Sequence, residues 1–333
     1  MEVFSPGYYH SFYCIAAACP DSCCKEWTVD VDDRSAAYYR TLPGALGDRL
    51  RSVLQDTEDG TTVMTIENGR CPMWRQDGLC QIQAELGHDA LCSTCREFPR
   101  LRHDYGDFLE LGLELSCPEA ARLILASPKQ DFLVTTQPGG EAPDYDIEVM
   151  QILRNSREEM LDFLYNSPYS LPETISIILL HSHGVQSQID GADPIAFAPE
   201  LCLVEAQRYA GKSDARAIFD FFRGLEILTP EWGNRLAHSP VSICWTTHLR
   251  ALMSYMIGRY WLQTISDYDL VCRVKFAVTA CLLVGSLGGD PIGTGQLFSK
   301  EIENDPNNVG AILDGAHSAS ALTDRNLLSL LLA

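Results

Sequence analysis

Cys14-Ile-Ala-Ala-Ala-Cys19-Pro-Asp-Ser-Cys23-Cys24 opens the stretch of sequence that decides how this chain is built. The block runs to Cys117 and holds nine of the thirteen cysteines in the 333 residues, including Cys71, Cys80, Cys92 and Cys95. Grouped sulfur ligands on short loops are typical of zinc and iron–sulfur sites. The block therefore predicts that the N-terminal part of the chain binds a metal.

The composition is that of an ordinary globular protein, with 46% apolar and 21% charged residues. Acidic residues outnumber basic ones by 45 to 25, which gives a formal net charge of −20. Because phosphate binding depends on Lys and Arg, this balance argues against a nucleic-acid partner. It is compatible with a basic protein substrate, and equally with a surface that only keeps the protein in solution.

The residues at the N-terminus, Met1–His10, contain neither a basic segment nor an apolar run, so they predict no secretory signal. No uninterrupted apolar run reaches the length of about eighteen residues that indicates a membrane span. We therefore expect a cytoplasmic protein without a membrane anchor. In a reducing cytosol the cysteines are expected to be metal ligands or inert thiols rather than disulfides.

The pattern of apolar residues and turn formers changes along the chain. Short strands, short helices and loops alternate at first, as in the strand expected at 61–66 and the loop from Cys71 to Cys80. After a Ser-, Pro- and Gly-rich stretch the periodicity is helical almost throughout. We predict a mainly α protein, with a Cys-rich, loop-dominated metal domain containing a few short strands at 1–130, a linker at 131–143 and an α-helical domain at 144–333.

Cysteine spacing alone does not choose the metal. The CxxxCxxC motif of radical S-adenosylmethionine enzymes would need a cysteine at Glu26, and a zinc ribbon needs paired CxxC groups where only Cys92-Ser-Thr-Cys95 has that form. Iron and zinc both stay open at this point. Four cysteines outside the block sit singly in apolar helical sequence and are expected to pack in the core: Cys202, Cys244, Cys272 and Cys281.

Five motifs, in order, resemble the flagellin lysine-N-methylase (FliB) family, which belongs with the broader cysteine-cluster (YkgJ-like) proteins that chelate zinc or iron. The motifs are Phe12-Tyr13-Cys14 through Trp27, Asn68-Gly-Arg-Cys71-Pro, Asp77-Gly-Leu-Cys80, Thr94-Cys95-Arg-Glu-Phe-Pro-Arg100 and Leu115-Ser-Cys117-Pro-Glu-Ala-Ala-Arg122. The resemblance covers roughly residues 8–125. Beyond that range it extends only to a general helical character.

This resemblance implies an iron–sulfur protein, with a 4Fe–4S cluster as the expected form, that transfers methyl from S-adenosylmethionine to surface lysine ε-amines of flagellin. The metal ligands that it implies are Cys14, Cys19, Cys23, Cys24, Cys71, Cys80 and Cys95. Cys117 resembles a position specific to the methylase-type proteins, and Cys92 is left outside the ligand set. Because a 4Fe–4S cluster needs about four sulfurs, the set holds more candidates than one cluster uses.

Two other functions stay open at the level of sequence. One is a zinc-stabilised protein-binding or scaffold module without catalysis, and the other is an iron–sulfur electron carrier. No G-x-G-x-x-G follows a strand, so no residues are assigned to S-adenosylmethionine. The Gly-rich segment Gly285–Asp290 is expected to be a helix end and a turn. No catalytic residue and no oligomeric state is predicted.

Overall fold

The structure is a computed structural model that describes residues 1–23, 28–127, 129, 132–211 and 215–333. Helices dominate these residues and the strands are short, which confirms the prediction of a mainly α fold. The described α-helices are α1 (Gly7–His10), α2 (Asp33–Thr41), α3 (Gly44–Val53), α4 (Gln81–Leu86), α5 (Ser93–Glu97), α6 (Pro118–Leu125), α7 (Ile147–Asn166), α8 (Leu171–Ile189), α9 (Pro199–Gln207), α10 (Ala215–Arg223), α11 (Pro230–Ala237), α12 (Thr247–Tyr260), α13 (Leu270–Leu287), α14 (Pro291–Phe298), α15 (Pro306–Ser318) and α16 (Asp324–Leu331).

The strands build two small sheets. They are β1 (Glu2–Pro6), β2 (Val29–Val31), β3 (Leu54–Asp56), β4 (Thr62–Met64), β5 (Arg100–Asp104), β6 (Phe108–Leu113) and β7 (Phe132–Thr136). One sheet has the order β5-β6-β1-β7, with β1 parallel to β6 and antiparallel to β7, so that Glu2 lies opposite Phe108 and Thr136. The other has the order β2-β4-β3 and is antiparallel throughout.

The chain folds into two compact units. The cysteine unit comprises Phe12–Leu101 with Cys117–Glu119, and the helical unit comprises Met1–Ser11, Arg102–Ser116 and Ala120–Ala333. This division differs from the predicted boundary at residue 130, because β1 and β6 share a sheet with β7 in the helical unit. The strand β7 also occupies part of the stretch that was predicted to be a linker.

Local capping signals place several helices where the sequence predicts them. The Asp32 carboxylate accepts the Ser35 N–H at the start of α2, and Asp146 accepts the Glu148 and Val149 N–H groups at the start of α7. The expected turn after α13 is confirmed, since Gly288 follows that helix with φ of 67°.

One described helix, α13, is long and apolar enough to cross a membrane, with 18 residues and a mean hydropathy of 1.8. It is nevertheless 83% buried inside the fold, as expected of a core helix. Its two basic residues are paired within the fold. Arg273 lies 2.7 Å from Asp267, and the Lys275 Nζ donates to the Ala316 carbonyl at 2.9 Å.

Candidate metal centre

Short loops and helix starts in the cysteine unit present the cysteine side chains. Cys80 immediately precedes α4, Cys92 immediately precedes α5, and Cys95 lies within α5. Cys71 lies in a turn, where its carbonyl accepts the Trp74 N–H at 2.9 Å. Each of these cysteines is thus held at a point where the backbone changes direction.

Three side chains from α2, its cap and α3 hold these loops in place. The Asp32 carboxylate, besides capping α2, accepts the Ser93 N–H at 2.8 Å in the first turn of α5. The Tyr39 hydroxyl donates to the Ala90 carbonyl at 2.6 Å, just before Cys92. The Arg49 guanidinium donates from Nε to the Pro72 carbonyl at 3.1 Å, just after Cys71. A carboxylate, a phenol and a guanidinium therefore fix the thiol loops through backbone groups.

The thiols converge on one cavity, of about 20 Å³, within the cysteine unit. The cysteines that line it are Cys23, Cys71, Cys80, Cys92 and Cys95. The rest of the lining is mostly apolar, with Val29, Tyr39, Met64, Met73, Ile82 and Leu91. Most of these side chains belong to the hydrophobic core of this unit, so the sulfur atoms face a site with little polar competition.

Cys92 and Cys95 are joined by a side-chain hydrogen bond in this cavity. A hydrogen bond with Cys95 lowers the pKa of Cys92, whereas that bond and burial raise the pKa of Cys95. Burial also raises the pKa of Cys19, whose neighbours within electrostatic range include Cys14 and Cys23. A metal would have to displace protons from these sulfurs on binding.

The seven predicted ligands differ in whether they line the cavity. Cys23, Cys71, Cys80 and Cys95 line the cavity, whereas Cys14 is exposed and Cys19 is half-buried, and neither is among the lining residues. Cys24 lies outside the described residues. Whether these sulfurs bind metal stays a prediction.

Cys92, which the predicted set omits, also lines the cavity and is 1% exposed. Its CxxC spacing with Cys95 was the sequence signal for it. The supporting residues Asp32, Tyr39 and Arg49 carried no such signal, because their contacts join segments far apart in sequence.

The donor set fits a thiolate-held metal by its chemistry, since soft sulfur ligands in apolar surroundings suit zinc and iron–sulfur clusters. Among the described residues, however, no group of three or more His, Cys, Asp or Glu side chains is arranged to hold a metal ion. The cavity of about 20 Å³ has room for about one water-sized group. A four-iron cluster would require the thiol loops to move apart, whereas a single ion would require smaller shifts.

Comparison with known proteins finds relatives that match part of the chain. The chain is 33% identical over 137 residues to the flagellar biosynthetic protein FliU of Salmonella muenchen, and the match covers 38% of this chain and 79% of FliU. The lysine-N-methylases of Salmonella typhimurium and Salmonella choleraesuis are each 32% identical over 137 residues, with 38% of this chain and 33% of each relative covered. No protein-family model and no solved structure matches the chain.

The chain belongs to the family that contains FliU and these lysine-N-methylases, which confirms the resemblance drawn from the cysteine motifs. The matched segment spans about four fifths of FliU but only a third of the lysine-N-methylases, whose names state an enzymatic activity.

Proposed function

We propose that this protein is a protein-lysine N-methyltransferase that moves methyl from S-adenosylmethionine to surface lysine ε-amines of flagellin. We propose further that the cysteine unit holds an iron–sulfur cluster. The observation that carries the proposal is membership of a family that includes lysine-N-methylases and a flagellar biosynthetic protein. The gathering of five cysteines around one cavity supports the metal-binding part of it.

The reaction places a clear demand on the protein. The lone pair of a neutral lysine amine forms the new N–C bond, the S–C bond of the donor breaks, S-adenosylhomocysteine leaves, and the amine loses a proton. Because a free lysine is mostly protonated near pH 7, the protein must bind the ammonium form and favour its deprotonation. The net charge of −20 suits the approach of a cationic side chain.

The residues that would hold the cluster are drawn from Cys23, Cys71, Cys80, Cys92 and Cys95, which line the cavity. When bound, an iron–sulfur cluster supplies electron transfer at a potential set by its surroundings. The chain's own contribution is to orient the thiols through Asp32, Tyr39 and Arg49 and to keep water from them with apolar neighbours. Such support commonly tunes both metal affinity and reactivity.

The test is anaerobic purification followed by incubation with S-adenosylmethionine and flagellin. We expect a brown protein containing iron and sulfide, and a mass increase on flagellin lysines that requires the methyl donor. Flagellin incubated without the donor is the control. A protein that carries iron and sulfide but leaves flagellin unmodified, with and without reductant, would contradict the methyltransferase assignment.

A zinc-stabilised protein-binding module without catalysis is the second candidate. The observation that favours it is the CxxC spacing of Cys92 and Cys95, which both line the cavity and are a ligand pair that zinc also accepts. Metal analysis separates the two candidates directly. A colourless protein with stoichiometric zinc and no methylation under any redox condition would establish the second candidate in place of the first.

A further inference from the structure

The outer side of α9 in the helical unit is apolar. Leu201 is 72% exposed and Val204 is 57% exposed. Because the two residues lie three positions apart on a helix, their side chains are neighbours on one face. The inner side of the helix is covered, since α9 packs against α8 and Ala206 is fully buried. One face of α9 is thus held in the fold, while the other presents two large aliphatic side chains at the surface.

The sequence of α9 is that of a helix covered on every side. Its residues 201–204 are Leu, Cys, Leu and Val, and four successive positions extend around a whole turn of an α-helix. A helix that only covers a core has polar residues on its outer face, whereas a helix that is apolar all round is normally enclosed. Exposed apolar side chains that lie side by side mark interaction sites. The outer face of α9 therefore has the composition of a surface that a partner covers.

Carboxylates flank both exposed apolar side chains. Glu200 lies one turn before Val204, and Glu205 lies one turn after Leu201. The only basic residue in the sequence from 190 to 208 is Arg208, which is already paired with Glu205 at 2.7 Å. The same segment contains four acidic residues: Asp190, Asp193, Glu200 and Glu205. The apolar face of α9 therefore has an acidic rim.

The charge of this rim distinguishes the possible occupants. A second copy of the chain would bring a second set of the same carboxylates to the interface, and each chain carries a formal net charge of −20. A partner with basic side chains around its apolar ones gains attraction instead of repulsion. The complementary partner is therefore a protein segment whose apolar side chains are flanked by lysine or arginine.

We propose that the outer face of α9 is a docking surface for the protein substrate, and that it takes an apolar, lysine-flanked segment of that substrate. The identity of the partner rests on the proposed function, whereas the chemistry of the partner rests on α9 itself. A protein surface that offers lysine amines for methylation carries the positive charge that Glu200 attracts. Leu201 and Val204 hold the substrate and take no part in methyl transfer, so they act on KM rather than on kcat.

The test measures flagellin binding to the full chain by fluorescence anisotropy, without the methyl donor. The double variant Leu201→Gln/Val204→Gln should bind flagellin at least about tenfold more weakly, because apolar side chains at the centre of an interface carry much of its affinity. The matched control is Ile147→Gln/Val241→Gln, which removes two apolar side chains that are 67% and 51% exposed elsewhere in the helical unit. This control should leave the Kd unchanged.

A charge reversal tests the acidic rim separately. Glu200→Lys should weaken flagellin binding at low salt and should reduce the loss of affinity that added salt causes, because the attraction it removes is the one that salt screens. Glu141→Lys makes the same change at another exposed position of the helical unit and should leave the salt dependence nearly unchanged.

An unchanged affinity for flagellin in Leu201→Gln/Val204→Gln would overturn the inference, as would an equal loss in the control double variant. Sedimentation tests the other occupant. If the unchanged protein dimerises and the double variant is a monomer with undiminished flagellin binding, the face belongs to a second copy and the inference fails. If circular dichroism shows the double variant to be unfolded, Glu200→Lys decides, and an affinity no weaker than that of the unchanged protein overturns the inference.

Failure of this inference and failure of the proposed function give different results. If flagellin binds through Leu201 and Val204 but never gains mass, the methyltransferase proposal fails and the docking surface stands. If the double variant methylates flagellin with an unchanged KM, the docking surface fails and the methyltransferase proposal stands. A raised KM with an unchanged kcat supports both.

Discussion

The charged side chains that hold the core of the helical unit and those that hold the thiol loops of the cysteine unit have different partners. In the helical unit, charges meet charges, as where Arg157 donates to both oxygens of Glu110 at 2.9 and 2.5 Å. In the cysteine unit, Asp32 and Arg49 bind backbone groups of the thiol loops, and five cysteines line one small cavity. The helical unit therefore supplies oppositely charged partners for its own buried charges. We expect the cysteine unit to gain much of its stability from a metal.

The largest expected effect concerns metal binding by the cysteine unit. Cys92→Ser should reduce the metal content of the purified protein by more than about tenfold, since losing a ligand costs at least as much affinity as losing its supporting contacts. Cys14→Ser is the matched control, because Cys14 is exposed and does not line the cavity. Metal analysis of both variants provides the measurement. Equal loss in the two variants would show that Cys14 contributes as much to metal binding as Cys92, and would contradict the assignment of the site to the cavity.

The next effect concerns the helical unit. Arg157→Leu should lower the free energy of unfolding by about 3–5 kcal/mol, because it leaves the Glu110 carboxylate buried without its partner. Arg208→Leu is the control, since its pair with Glu205 is largely exposed and such pairs contribute less than about 1 kcal/mol. Urea unfolding followed by circular dichroism measures both. A loss for Arg157→Leu as small as that of the control would mean that this ion pair does not stabilise the unit.

A smaller effect tests the support of the thiol loops. Asp32→Ala removes the carboxylate that accepts N–H groups from Ser35 and Ser93, and should cost about 1–2 kcal/mol as for other lost helix caps. Asp33→Ala, at the neighbouring exposed position, should cost a few tenths of that. Thermal unfolding of both variants provides the comparison. If the two variants lose equal stability, the hydrogen bond from the Ser93 N–H to Asp32 does not stabilise the protein.

The smallest effect is a pH dependence in the helical unit. Burial raises the pKa of Asp269, but the Cys272 N–H and His317 outweigh it, so the pKa lies below its ordinary value. The stabilisation is therefore present above the unfolded pKa near 4 and is lost as pH falls through the folded pKa. Asp269→Asn keeps a helix cap but removes the charge, so we expect the stability difference from the unchanged protein to shrink at acidic pH. Asp314→Asn, at an exposed position, should show no such trend in urea unfolding between pH 7 and pH 3.

Local signals explain which parts of the fold the sequence predicted. Caps such as Asp32 and Asp146 act within a few residues, so the starts of α2 and α7 could be predicted. The sheet that joins β1 to β6 depends on contacts between residues more than a hundred positions apart, and no local periodicity records them. The strand β7 is largely exposed and directly precedes the Pro- and Gly-containing residues that favour a linker, and its pairing with β1 makes it a strand.

Local motifs likewise predict the cysteine cavity but not the buried charges of the helical unit. Motifs predicted the convergence of Cys71, Cys80 and Cys95, because each motif keeps its turn formers beside the thiol. No sequence motif predicts the buried ion pair of Arg259 and Glu303 in the helical unit. Arg259 lies on α12, whereas Glu303 ends the π-helix Ser299–Glu303 more than forty residues later. Tertiary packing alone brings such residues together.

The burial of α13 has a consequence for the unfolded chain. Inside the fold its apolar surface is covered and its two basic residues have partners. Once the helical unit opens, eighteen residues with a mean hydropathy of 1.8 become available to neighbouring molecules. Because exposed apolar segments promote association, we expect the working lifetime of this protein to depend on how slowly α13 is released rather than on an equilibrium.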